Sequence, residues 1–151
     1  MPDKKAPQHY LGLDLGAAAV KACVFDIGGR ILIKAHVPVV SGPIVALQEV
    51  LQAVETTLAG RPIKVGVTGQ GRESLDSIPG CVSENEVLCL VRGAAGIDVS
   101  VRALIEVGGH TARWISFDRD RAGTPRLGDF SLNAQCAAGV GAFLVQQASR
   151  L

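Results

Sequence analysis

Residues 9–40 read HYLGLDLGAAAVKACVFDIGGRILIKAHVPVV, and this stretch decides the fold. It holds three apolar runs, His9–Leu15, Val20–Asp26 and Ile31–Val40. The first break falls at Gly16. The second, Ile27-Gly28-Gly29-Arg30, reads as a tight hairpin turn. Pro38 and Ser41-Gly42-Pro43 close the third run. Three strands joined by such short turns predict an antiparallel meander. Downstream, Ile44, Leu47, Val50, Leu51, Val54 and Leu58 recur at helical spacing, with Ser41 as a nearby N-cap and Gly60 as the stop. Ile63–Thr68 reads as a short buried strand running into Gly69-Gln70-Gly71-Arg72. A second helix is expected from Glu84 to Gly96.

The pattern then returns to strands. Ala103–Val107 leads into Gly108-Gly109, and Thr111–Asp118 reads as its hairpin partner. A polar loop, DRDRAGTP, follows (residues 118–125). Phe130–Leu132 is one more candidate strand, and a last helix is expected from near Cys136 to Leu151. A meander followed by alternating helices and strands predicts an α/β domain with a mixed sheet. Trp114 reads as a core residue. The alternating charges Asp118, Arg119, Asp120 and Arg121 read as a solvated loop.

Composition narrows the function classes. Lys+Arg 15 against Asp+Glu 14 gives a net charge of +1, which offers no basic excess for nucleic acid. A mean hydropathy of +0.30 excludes disorder as the main state. No apolar run approaches the roughly 20 residues of a membrane-spanning helix. The polar start, MPDKKAPQHY, predicts a disordered segment over residues 1–8, no secretory leader and a cytoplasmic location. Cys23, Cys81, Cys89 and Cys136 form no C-x-x-C pair. Cys23 and Cys89 read as small buried residues and Cys81 as a loop residue.

Two strand ends share one chemistry. Asp14 and Glu106 each close a buried strand, and a glycine-bearing turn follows each. Gly16 and Lys21 follow the first; Gly108, Gly109, His110 and Thr111 follow the second. Glycine lets backbone N–H groups approach a phosphate and form an anion nest. A nearby acid can hold Mg2+, usually through water. Repeated twice, the pattern predicts a nucleotide wedged between two hairpins. Each turn taken alone is equally a structural hairpin.

These residues resemble the actin, sugar-kinase and chaperone ATPase superfamily, with its ribonuclease H-like core. The strings YLGLDLGAAAVKACVFD, VGVTGQGR, ENEVLCLVRGAAG, LIEVGGHTARWISF and LNAQCAAGVGAFL more closely resemble the BadF/BadG/BcrA/BcrD ATPase family. That family comprises activators of 2-hydroxyacyl-CoA dehydratases and ATP-binding subunits of benzoyl-CoA reductase. The resemblance covers roughly residues 9–151. Its most specific element is Asn133–Leu144, matching N-x-x-C-A-A-G-x-G-x-F-L.

The resemblance implies ATP or ADP with Mg2+ as cofactor. It also implies a homodimer sharing one 4Fe–4S cluster, and a CoA-ester dehydratase or reductase as partner. Cys136 matches the first cluster cysteine; at a helix start it would be favoured as the iron-binding thiolate. Asp14 and Lys21 match the first phosphate loop, Gly108 and Gly109 the second. Glu86 and Arg92-Gly93-Ala94 match a stretch reading E-x-x-x-H-A-R-G-A, with Leu90 at the histidine. The resemblance assigns no catalytic residue.

Three departures qualify the match. Ala17-Ala18-Ala19 replaces three hydroxyl residues of the first loop. Each lost charge-assisted hydrogen bond removes about 1.5–3 kcal/mol, and losing two weakens binding by about a hundredfold or more. In the second loop, Glu106 and Thr111 stand where the family has aspartates. Finally, neither a second cluster cysteine nor a second lobe follows Leu151. The expectation is therefore an N-terminal actin-like lobe over residues 9–151, a fragment of an ATP-dependent iron–sulfur activator. An ATPase-like module of assembly or regulation, with weak or no nucleotide binding, stays open beside it. A small-molecule kinase is a third reading, with only Glu106 and His110 near the second turn to serve as base.

Overall fold

The computed structural model describes residues 9–61, 63–109, 111–133 and 140–150. The chain divides between Glu84 and Asn85 into two compact units. The first holds a five-stranded sheet in the order β3-β2-β1-β4-β5. Its meander is β1 (His9–Leu15), β2 (Ala19–Asp26) and β3 (Ile31–Pro38). The strand β4 (Ile63–Thr68) then runs parallel to β1, pairing His9 with Ile63 and Asp14 with Thr68. A short strand, β5 (Cys81–Ser83), pairs parallel to β4, so Cys81 sits in the sheet rather than in a loop. The expected mixed sheet is thus present in this unit.

Period-two alternation divides the faces of this sheet. Leu11, Leu13 and Leu15 of β1 and Val20, Ala22 and Val24 of β2 share a core with the helix α1, Pro43–Leu58. Ala46, Val50, Val54 and Leu58 supply the helix stripe. Tyr10, Gly12 and Asp14 point to the other face, where the Tyr10 and Phe25 rings stack at 5.5 Å. The helix starts differently from the sequence expectation. Its N-cap is Gly42 (φ 109°), Pro43 occupies the first turn, and no side chain caps it. A proline preset for helical φ replaces the bond expected from Ser41.

In the second unit, the helix α2 (Glu86–Ile97) is capped by Asn85, whose side chain accepts from the Val87 and Leu88 amides. Strands β6 (Ala103–Val107), β7 (Ala112–Arg119) and β8 (Pro125–Leu132) form a separate antiparallel sheet, order β6-β7-β8. Val91 and Ala95 of α2 pack on Ile115 and Phe117 of β7, with Leu90 and Leu104 at the margin. Trp114 belongs to the opposite face and is 43% exposed, so it is not a core residue.

The polar stretch after β7 is solvent-exposed at residues 121–124, as expected, and is held as a hydrogen-bonded turn. Asp120 Oδ1 accepts from the Ala122 and Thr124 amides, and Arg126 bonds Oδ2. The Thr124 bond foremost holds the Asp120 carboxyl below its usual range. Arg119 donates to the Gly123 and Ala95 carbonyls, tying the hairpin to the end of α2. With its turn fixed, β8 starts at Pro125 rather than Phe130.

The last helix, α3, spans Gly141–Ala148, with the extended Val140 (φ −94°, ψ 172°) as its N-cap. The expected start near Cys136 and the segment 1–8 lie outside the described residues. No helix among the described residues is long and apolar enough to cross a membrane.

One glycine governs how β4 meets β1. Gly69 has φ +92°, and a Cβ there would sit 2.7 Å from the Leu15 carbonyl oxygen and 2.6 Å from Asp14 Oδ1. Gly69→Ala is expected to destabilise the first unit by about 2 kcal/mol or more. Gly12→Ala, whose Cβ would meet only the Cys23 carbonyl at 3.9 Å, should stay within about 0.5 kcal/mol of wild type. Chemical denaturation of the two variants checks the contrast.

Candidate functional site: two acid–glycine–base turns

The first turn joins β1 to β2. Asp14 ends β1 directly opposite Lys21 of β2, and their side chains form an ion pair at 2.8 Å. The Gly16 N–H donates to the Ala19 carbonyl at 3.1 Å. A Cβ on Gly16 would lie 2.9 Å from that oxygen, so the turn needs glycine. The Ala18 carbonyl accepts from the Val39 N–H, which fixes the turn to the end of β3. From the other side, the Gly71 N–H donates to the Leu15 carbonyl at 3.0 Å. Asp14, Gly16 and Lys21 are therefore brought together as expected. The loop Gly69-Gln70-Gly71 also closes on them.

Asp14 has two unlike oxygens. Oδ2 is paired with Lys21; Oδ1 is buried and has no hydrogen-bond partner among the described residues. A bare buried carboxylate oxygen is costly unless something satisfies it. It lies at the carboxyl ends of the parallel pair β1 and β4, where ligands of α/β sheets bind. The donor set fits a hydrated Mg2+, which takes one or two carboxylates and completes its shell with water and phosphate. Ala17 and Ala18 are exposed on the turn, whereas Ala19 is buried. Of the three alanines, only the first two present their side chains to solvent.

The second turn joins β6 to β7 and repeats the first in spacing. Glu106 ends its strand's inner face opposite Arg113, seven residues on, as Lys21 is from Asp14. The Gly108 N–H donates to the Thr111 carbonyl at 2.8 Å, the counterpart of Gly16 to Ala19. Glu106, Gly108 and Thr111 meet here, with Gly109 beside them. His110 and Cys136 lie outside the described residues. Gly141 of α3 donates to the Gly108 carbonyl at 2.9 Å. A Cβ on Gly141 would approach that oxygen to 2.7 Å, which accounts for the glycine at this position.

The two bases differ in burial. Lys21 is half exposed. Arg113 has a side chain only 9% exposed and touches three groups among the described residues. It pairs with Glu86 Oε2 of α2 at 2.8 Å and with Glu106 Oε2 at 3.6 Å, and bonds Thr111 Oγ1 at 3.4 Å. Sequence reasoning missed Arg113 as a site residue. Its signal was the acid–base spacing shared by both turns. No group of three or more His, Cys, Asp or Glu side chains that could hold a metal occurs among the described residues.

No protein-family profile matches the chain. It is 33% identical over 139 residues to the (R)-2-hydroxyglutaryl-CoA dehydratase activating ATPase of Acidaminococcus fermentans, covering 90% of this chain and 51% of that protein. It is 33% identical over 140 residues to the 2-hydroxyisocaproyl-CoA dehydratase activator of Clostridioides difficile, covering 90% and 50%. The solved structure of a Clostridium difficile activator of the same dehydratase, with bound ADPNP, superposes with a TM-score of 0.73 at 29% identity. That match covers 94% of this chain and 52% of that one. The chain thus spans about half the length of the curated relatives it matches. The fold is that of the actin-like, ribonuclease H-like ATPases.

The different burial of the two bases gives a direct test. Lys21→Met removes an exposed pair and should cost at most about 1 kcal/mol. Arg113→Met strands two carboxylates around a buried position and should cost about 2–4 kcal/mol, the larger because burial weakens screening. Equal losses in urea titrations of the two variants would contradict the assigned burial.

Proposed function

We propose that the chain is part of a 2-hydroxyacyl-CoA dehydratase activator and supplies its ATP-binding turns. Asp14 is the carrying observation. One oxygen is held by Lys21, and the other is buried beside a glycine turn with no hydrogen-bond partner among the described residues. In this reading Asp14 anchors Mg2+ through water, and backbone N–H groups around Gly16–Ala18 meet phosphate. Gly108, Gly109 and Thr111 serve phosphate in the same manner at the second turn, with Glu106 as its acid. Lys21 and Arg113 hold the two acids in place. The wider protein would use the energy of ATP to deliver an electron to a CoA-ester dehydratase or reductase.

The iron–sulfur part of the proposal rests on the Asn133–Leu144 motif. Cys136 would be one thiolate ligand of a 4Fe–4S cluster shared by a homodimer. The cluster would supply the low-potential electron. What this chain's residues contribute is the thiolate and a glycine-rich backbone with little steric bulk.

A second reading draws on Ala17 and Ala18. Without hydroxyls at the two exposed turn positions, nucleotide affinity is low, and the protein acts as an ATPase-like module in assembly or regulation. Calorimetry on the full-length gene product separates the two. Under the activator reading, wild type binds ATP with Mg2+ and Asp14→Asn abolishes the Mg2+-dependent part. Ala17→Ser and Ala18→Thr each tighten binding by about tenfold if one charge-assisted bond is restored. Ala19→Thr brings no gain and lowers the melting temperature, since that side chain is buried. Binding seen only after the hydroxyls are restored would favour the module. For the cluster, anaerobic reconstitution is expected to load iron into wild type and not into Cys136→Ala.

A further inference from the structure

The contacts of Arg113 lead from the start of α2 to the second glycine turn. Glu86 is the first residue of α2, and the Asn85 cap fixes that end of the helix. Its carboxylate holds the Arg113 guanidinium at 2.8 Å, the shortest of the three Arg113 contacts. Arg113 in turn approaches Glu106 Oε2 at 3.6 Å and bonds Thr111 Oγ1. The other Glu106 oxygen, Oε1, lies over the turn, 2.6 Å from where a Cβ of Gly108 would stand. The glycine leaves room for the carboxylate, and the arginine holds it there.

A long arginine side chain has many rotamers, and a single 3.6 Å contact fixes few of them. Two carboxylates on different elements fix far more. The planar guanidinium presents its donors in a rigid fork, so pinning one edge on Glu86 orients the edge that faces Glu106. Burial strengthens both contacts. We propose that Arg113 is a positioning residue for Glu106 at the second turn, and that Glu86, remote in sequence, sets its pose. This deepens the nucleotide reading above and rests on it. Through this brace, the first turn of α2 controls how strongly the second turn favours Mg2+–nucleotide.

A double-mutant cycle on the full-length gene product tests the brace, with ATP binding titrated against Mg2+ by calorimetry. Glu86→Gln keeps shape and removes the charge that pins Arg113. It is expected to raise the half-saturating Mg2+ concentration about tenfold. In a Glu106→Gln background it should add little, because the group it positions is already lost. Arg113→Lys, which keeps charge but loses the fork, should follow Glu86→Gln. If Glu86→Gln folds poorly, Glu86→Asp retains a favourable first-turn charge and carries the same cycle.

Losses that add fully in the double variant overturn the brace. So does a drop in melting temperature with an unchanged Mg2+ requirement. A wild-type protein that binds no nucleotide overturns the ATP reading itself, and the brace with it. Binding by wild type with additive losses overturns the brace alone.

Discussion

Strand β1 is hydrogen-bonded along both edges, antiparallel to β2 and parallel to β4, and the first candidate site depends on that double pairing. The antiparallel edge sets Lys21 opposite Asp14. The parallel edge brings the end of β4 level with the end of β1, so that Gly69 and Gly71 close over Leu15. A strand with one free edge would leave Asp14 in open water, with Lys21 as its only neighbour. Pairing on both sides instead buries one carboxylate oxygen while the turn beside it stays accessible. Backbone pairing thus creates the electrostatic feature on which the functional proposal rests.

The same small device appears in both units with different energetics. An acid closes a strand, a glycine two residues later donates to the fifth residue, and a base seven residues on faces the acid. In the first unit the base is exposed, so the pair is screened and contributes little stability. In the second the base is buried against α2 and the ion pairs become structural. Arg113 does there what β4 does in the first unit: it limits where the acid can go. Exposure of the base, more than its chemical type, separates a tether from a brace.

Alanine at the first turn has a narrower meaning than its sequence suggests. The resemblance implies hydroxyls at all three positions, yet Ala19 is buried and Ala17 and Ala18 are exposed. The functional question rests on Ala17 and Ala18 alone. Strand alternation puts Val20, Ala22 and Val24 on the core face of β2 and Ala19 on the face of Lys21, where neighbouring backbone still leaves it only 6% exposed. The match to the dehydratase activators covers 90% of this chain and about half of each relative.

Much of this was legible from the residues in order. The meander, α1, β4 and both glycine turns follow from period two, helical spacing and turn glycines, all set by neighbours along the chain. Asp14, Gly16, Lys21, Glu106, Gly108 and Thr111 were recognisable because each acid, glycine and base falls within eight residues. What escaped depends on distant partners. β5 is only three residues long and exists because β4 offers an edge. Trp114 looked like core until the face covered by α2 proved to be the one bearing Ile115 and Phe117. Arg113 became central only when folding brought Glu86 beside it, 27 residues away. Local periodicity determined the elements and the turn chemistry. Tertiary packing decided which charges are buried, because burial is a property of what lies across the sheet rather than along the chain.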